Sequence, residues 1–271
     1  MTALHNAMNL TPPGDQLKTH KMPGHWVLAR LGKRVLRPGG MPLTRRMLKA
    51  LRIKGTDDVV EFAPGMGITA TLTLQLHPAS YTAVERDEAA AKIVGRYLTG
   101  DQQRCVLGSA SETRLPDQSA TVVYGEAMLT MQTEETKREI VREAHRLLKS
   151  GGYYGIHEMC LLSDDLDEDA RRKTERELTG VVRHGVRPLT VSEWRSLLQS
   201  EGFGIESVDM ASMSLLEPGR LIRDEGIAGA LRFVWNLLRD AEARHRVLEM
   251  RSVFRRNRKY LGAVAITAIK R

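Results

Sequence analysis

The chain has 271 residues, 42% hydrophobic and 27% charged, enough for one large α/β domain with a substantial core. Its first 30 residues lack a signal-peptide core and no run approaches the roughly 18 uncharged residues of a membrane span, so a soluble cytoplasmic protein is expected. The net charge of +8 is segregated: residues 1–56 carry +10, residues 57–217 carry −10 and residues 218–271 carry +8. The basic ends therefore either face an anionic partner or fold back on the acidic centre.

Residues 1–40 read as a basic segment containing His25, Trp26 and Arg37-Pro38-Gly39-Gly40. From Met41, "MPLTRRMLKALRI" keeps Leu43, Met47, Leu48 and Leu51 at helical spacing. Short β-rich runs follow: "DVVEFA", "YTAVE", "RCVLGS", "TVVYGEA" and "YYGIHEMC". The clearest helix between them, 134–148, places Ile140, Val141, Ala144, Leu147 and Leu148 on one face, with Thr133 to cap its start and Gly151 to end it. Such alternation predicts a mostly parallel sheet with helices on both faces, and ligands on such sheets sit at the carboxyl ends of the strands. Further on come an amphipathic helix, "TVSEWRSLLQSEGF", and a strand, "GIESVDMASMSLL". A basic helical stretch, about 227–257, then offers Ile227, Leu231, Val234, Leu238, Val247, Met250 and Phe254 for burial. The final strand, "LGAVAITAIK", completes an expected antiparallel C-terminal edge. Cys105 and Cys160 are too few for a disulfide framework and too far apart for a zinc pair of the CxxC kind; both are expected as small buried hydrophobes, and no metal site is predicted.

The stretch "VVEFAPGMGITA", residues 59–70, fits two nucleotide fingerprints. Gly65-x-Gly67-x-x-Ala70 suits a dinucleotide, which would make the chain an NAD(P)-dependent oxidoreductase. Glu61-x-Ala63-x-Gly65-x-Gly67 suits a cationic ligand, because the Glu61 carboxylate repels a pyrophosphate and attracts a positive charge. Three later segments favour the second. "GSASETRLPDQSATVVYGEA" reaches the fourth strand through an Asp117-Gln118-Ser119 turn, "LLKSGGYYGIHE" joins a helix to a fifth strand through Gly-Gly, and the chain closes on a strand. From about residue 41 the sequence resembles class I S-adenosylmethionine-dependent methyltransferases, closest to the small-molecule group that includes quinone-type C-methyltransferases. The resemblance implies a Rossmann-like, seven-stranded, mostly parallel sheet with an antiparallel C-terminal strand. The N-terminal segment and the helical insertion at about 227–257 would be additions to this domain.

By the same resemblance Glu61, Ala63, Gly65 and Gly67 surround the methionine and ribose of S-adenosylmethionine. Glu85 takes the ribose hydroxyls, Ser109 and Ala110 lie near adenine, and Gly125 and Glu126 lie beside the methionine end. Ala63 stands where the family has its first glycine, and it permits close approach if its φ is negative; Pro64 then stiffens the turn. Candidates for a catalytic base on the acceptor side are His157, Glu126 and Tyr124, and of His157 and Glu158 only one can face the cleft because strand side chains alternate. N-terminal segments of the family often close over the cofactor, which would let Arg37 meet an anionic acceptor. The expected acceptor is small or lipid-like. The basic stretch serves core packing, a homodimer contact or peripheral membrane contact. The alternatives to a small-molecule enzyme are an RNA methyltransferase or a non-catalytic cofactor binder; nucleic acid is disfavoured because no RNA-binding module is present.

Overall fold

A computed structural model describes residues 13, 14 and 16–271; the remainder of the basic N-terminal segment, residues 1–12 and 15, lies outside the described residues. The β-branched runs become β1 (Asp58–Phe62), β2 (Ser80–Glu85), β3 (Gln103–Leu107), β4 (Ala120–Glu126) and β5 (Leu148–Leu161), followed by the two-residue β6 (Leu189–Thr190), β7 (Phe203–Ser212) and β8 (Leu261–Lys270). They form one sheet in the order β3-β2-β1-β4-β5-β8-β7, with β6 attached to β5 outside that path. β1 to β5 run parallel, while β8 is antiparallel to both β5 and β7. The last strand thus inserts inside the sheet and leaves β7 at the edge. Strand order reverses between β1 and β4, which opens a crevice at their carboxyl ends.

The period-two alternation of the strands builds two cores. Val60, Phe62, Val84 and Val123 face α5 (Glu134–Leu147) and α7 (Val191–Ser200), meeting Ile140, Val141, Ala144 and Trp194. Val59, Tyr81, Ala83, Val122 and Tyr124 face the other way, toward Leu43, Met47, Leu48 and Leu51 of α2 (Gly40–Leu51) and Ala70 of α3 (Ile68–Leu74). Thr133 accepts the Thr136 N–H at 3.2 Å to cap α5. Cys160 is in the core and Cys105 is half-buried; burial pushes their thiols up to about 12 and about 11.

A third apolar cluster lies at the end of the sheet where Leu161 closes β5 and Leu261 opens β8. It joins α1 (Gly24–Arg30), α6 (Glu168–Val182), α8 (Pro218–Arg239) and α9 (Ala241–Arg256) through Leu28, Leu178, Phe233, Val247 and Met250. Here the structure corrects two expectations. The basic stretch is not one helix: it breaks at Asp240, whose carboxylate accepts the Ala243 N–H at 2.8 Å and starts α9. Val247, Met250 and Phe254 are buried as expected, yet Ile227, Leu231, Val234 and Leu238 are exposed. The buried side of α8 is instead Gly229, Ala230 and Phe233, and Asn236 donates to the Leu31 carbonyl at 3.1 Å. Phe233 in the third cluster and Asn236 on Leu31 anchor this side of the helix, and that turns the larger apolar stripe outward. Among the described residues no helix is long and apolar enough to cross a membrane.

Candidate active site

The carboxyl ends of β1, β2 and β4 open into a cavity of about 450 Å³. Its floor includes Glu61, Ala63, Pro64, Gly65, Glu85, Gly108, Ser109, Ala110 and Glu126, and its roof comes from α1, the segment 34–38, the end of α6 and α9. Glu61 is buried in β1, and period two explains its partners. Tyr124 is its register partner on β4, and Tyr81 pairs with Val59 one pleat earlier on the same face. Both phenols donate to Glu61 Oε2, Tyr124 at 2.7 Å, and among the described residues Oε1 receives no hydrogen bond. Burial raises the Glu61 carboxyl, the two phenols pull it back only in part, and it settles at about 7.

The turn after β1 carries three consecutive departures from ordinary backbone: Ala63 at φ 49°, Gly65 at φ 56° and Gly67 at φ 70°. Ala63 thus holds the positive φ a glycine would take, so the condition of a negative φ is not met. The reason is local, since its N–H is fixed to the Val84 carbonyl at 2.8 Å and the chain must turn at once into Pro64. Gly67 starts α3 and does not line the cavity; a Cβ there would meet the Tyr97 ring at 2.8 Å. Glu85 ends β2 with its carboxylate held by three backbone donors: Gly65 N at 3.0 Å, Arg86 N at 2.8 Å and Asp87 N at 3.0 Å.

Glu126 is the centre of the other half. Arg37 donates to it and to Thr69; Thr69 Oγ1 and Thr44 Oγ1 each reach it at 2.5 Å, and His157 Nδ1 lies 2.8 Å from Oε1. Burial alone would push this carboxyl up, but the Arg37 guanidinium and the His157 and Thr44 hydrogen bonds outweigh it and bring it down to about 2. Arg37 is buried in the wall, and among the described residues its Nε has no partner.

His157 Nε2 accepts the Gly39 N–H at 3.1 Å, which leaves Nδ1 as the donor to Glu126. It is fully buried behind the wall and does not line the cavity. Tyr124 is likewise internal, its hydroxyl shared between Glu61 and Thr73 Oγ1 at 2.7 Å. Of the three candidate bases, only Glu126 lines the cavity. Glu158, the neighbour of His157, does line it, but its oxygens accept Met128 N, Leu129 N, Thr130 N and Thr130 Oγ1, so it holds the turn after β4. Gly125 also sits behind the wall, where a Cβ would touch Phe62 and Met128 at 3.4 Å. Ser109 and Ala110 line the cavity, and Ser109 Oγ pairs with Ser111 Oγ at 2.8 Å. Sequence reasoning missed Tyr81, Thr44 and Thr69. Tyr81 was accessible from strand alternation; the threonines had no sequence signal because they sit on helices whose approach to Glu126 is purely tertiary.

Two features test whether this floor accepts S-adenosylmethionine. A Cβ on Gly108 meets nothing within 4 Å and one on Gly65 meets only the Ala63 carbonyl at 4.0 Å, so both glycines leave room in the cavity rather than filling a packing need. The floor also presents the carboxylates of Glu61, Glu85 and Glu126, an acceptor set for hydroxyls and cations that is unsuited to a pyrophosphate. A methyltransferase domain family matches residues 60–156, β1 to the middle of β5. Residues 60–156 thus form a methyltransferase domain, and the carboxylate-lined floor fits S-adenosylmethionine as its methyl donor. It is 32% identical over 251 residues to an uncharacterized protein of Haemophilus influenzae, covering 91% of this chain and 98% of that relative. The crystal structure of the MccD protein has a similar fold, with a TM-score of 0.68 and 18% identity over 87% of this chain and 99% of the other. A phospholethanolamine N-methyltransferase 2 of Haemonchus contortus, in complex with phosphomonomethylethanolamine and S-adenosylhomocysteine, is similar at a TM-score of 0.68 and 13% identity over 91% of this chain and 57% of the other. The likenesses to solved structures show the fold and do not single out a quinone-type group.

Proposed function

We propose that the protein methylates a small apolar or lipid-like acceptor held in the roofed part of the cavity. The observation that carries this reading is the lining: six of the chain's 12 methionines, Met66, Met128, Met131, Met159, Met213 and Met250, face the cavity, joined by Leu28, Leu36, Leu215 and Phe254. Flexible thioethers adapt to an irregular apolar ligand and leave few polar atoms to hold a strongly hydrated one.

S-adenosylmethionine supplies an activated methyl carbon, so the chain's work is alignment and exclusion of water. Glu85, already fixed by three N–H groups, retains acceptor capacity for the ribose diol. Arg37 and Glu126 form a buried charge pair that matches the zwitterionic amino-acid end, the Arg37 guanidinium serving the carboxylate and Glu126 the ammonium. Glu61 Oε1 places negative charge beside the same cationic ligand. In this reading His157 is a positioning residue that holds Glu126, and Glu126, held near 2, is a charge partner rather than a base. The segment carrying Arg37 closes the roof over this end.

The test is transfer of isotope-labelled methyl from S-adenosylmethionine into a metabolite and lipid extract, followed by phase separation. Label in the organic phase supports the apolar acceptor. Label confined to the aqueous phase, or to RNA, refutes it.

A further inference from the structure

The second half of α8 presents an apolar face that nothing in the described chain covers. Ile227, Leu231, Val234, Trp235 and Leu238 are 72, 66, 44, 55 and 61% exposed. Their spacing of three and four places them on one stripe about 100° wide, opposite the buried Gly229, Ala230 and Phe233. The helix is therefore anchored on one side and apolar on the other. The patch amounts to on the order of 500 Å², near the top of what a typical monomer exposes. Arg232 and Arg239 flank it on one side, no acidic residue occurs from Gly226 to Arg239, and the Arg239 guanidinium lies 4.3 Å from the Trp235 ring centroid.

We propose that this face docks the protein on an anionic lipid bilayer, the stripe immersed at the level of the headgroups and the arginines paired with lipid phosphates. An indole with a guanidinium against it suits the boundary between acyl chain and headgroup. Charge favours a bilayer over a second copy of the chain. Two copies meeting through this face would bring their exposed Arg239 guanidiniums together with no acid of the face to pair them, whereas an anionic leaflet supplies that charge at every position.

The face is also tied to the cavity roof. The first half of α8 holds the segment over the cavity: Glu225 accepts Arg34 N and Val35 N at 2.8 Å each, Asp224 accepts Met41 N at 3.0 Å, and Arg220 donates to the Gly39 carbonyl at 2.9 Å. Between clamp and docking face Gly226 forms an elbow at φ 73° and ψ 172°. Its far side rests on the end of α1, the helix whose His25, Trp26 and Leu28 line the cavity. A docked protein would thus hold the roof of the apolar chamber against the bilayer and receive a lipid-like acceptor without exposing it to water. That purpose rests on the acceptor reading above; docking itself does not.

Flotation of the full chain with vesicles of phosphatidylcholine, and of phosphatidylcholine mixed with phosphatidylglycerol, tests the proposal. The chain should float with the mixed vesicles and less with phosphatidylcholine alone. The double variant Leu231→Ser/Trp235→Ser should lower its partition at least about tenfold, and Arg239→Glu should weaken only the anionic preference. Both variants alter exposed side chains, so unchanged melting curves would establish that they fold. Absence of flotation with both vesicles overturns the proposal, as does a dimer in sedimentation velocity that the double variant dissociates. S-adenosylhomocysteine titration of the same preparations separates the two readings: flotation without cofactor binding would defeat the enzyme reading and leave docking standing.

Discussion

Replacing Glu61 by glutamine should move stability and cofactor affinity in opposite directions. The Glu61 carboxyl rises from 4.5 to about 7 on folding. Between those values the folded chain keeps a proton that the unfolded chain has lost, so this group's penalty is absent below about pH 4.5, grows with pH, and is complete above about 7. About 2.5 pH units correspond to at most about 3 kcal/mol. Glutamine can accept the same Tyr81 and Tyr124 hydroxyls without a charge, so Glu61→Gln should stabilise the cofactor-free protein by about 1–3 kcal/mol at pH 8 and by much less at pH 5. Binding of a cation runs the other way. If S-adenosylmethionine draws the carboxyl down by about 2 units, wild-type affinity should be about eightfold weaker at pH 6 than at pH 7.5, a range over which the ligand's ammonium stays largely protonated. Glu126, held near 2, contributes nothing to that slope. Urea unfolding without cofactor and calorimetric titration at the two pH values measure both effects. A glutamine variant no more stable at pH 8, or a wild-type affinity flat across the range, refutes the reasoning.

Ala63→Gly should stabilise by up to about 1 kcal/mol, because relief of the positive φ exceeds the added chain entropy of the unfolded state; a loss in urea midpoint would show that the Ala63 methyl's packing matters more. Gly226→Ala should cost about 1–3 kcal/mol although its Cβ meets nothing within 4 Å, since φ 73° with ψ 172° is essentially glycine-only; an unchanged melting curve would mean that the elbow straightens freely. His157→Phe leaves the Gly39 N–H unpaired and removes a donor from Glu126, a loss of about 2–4 kcal/mol in stability with weaker cofactor binding. The shape of its pH–rate profile should nonetheless match wild type; disappearance of one limb in a folded variant would make His157 the base instead.

Much of this site was readable because local backbone dictates it. Glu61 stands four residues before Gly65 at the end of a β-branched run, and Glu85 ends the next strand, so both had to arrive at the carboxyl ends of adjacent parallel strands. Alternation also required His157 and Glu158 to face opposite ways. Which one meets the cavity depends on where α2 places Gly39 and Thr44, and no spacing in β5 encodes that. The sign of φ at Ala63 was invisible for a similar reason, being set by a hydrogen bond to the next strand. The helical stripe Ile227 to Leu238 has the same period whether it faces core or solvent. Its direction was decided by the other face, where Phe233 enters the third cluster and Asn236 reaches the carbonyl of Leu31, about 200 residues away in sequence.

The segregated charge posed the same choice at larger scale, and the chain divides its basic ends between the two outcomes. Arg37 returns to Glu126 of the acidic centre, while Arg30 meets Asp240 at 3.0 Å and Arg34 meets Glu225 at 3.3 Å, joining one basic end to the other. These contacts use the few acids of the C-terminal segment, and Asp224 and Glu225 are consumed entirely inside the clamp. What remains outward on α8 is arginine beside exposed apolar side chains. The internal pairing that closes the cavity roof is therefore also what strips the outer face of α8 of compensating acid, so a substitution such as Arg34→Gln should weaken the clamp without altering the charge of the docking stripe.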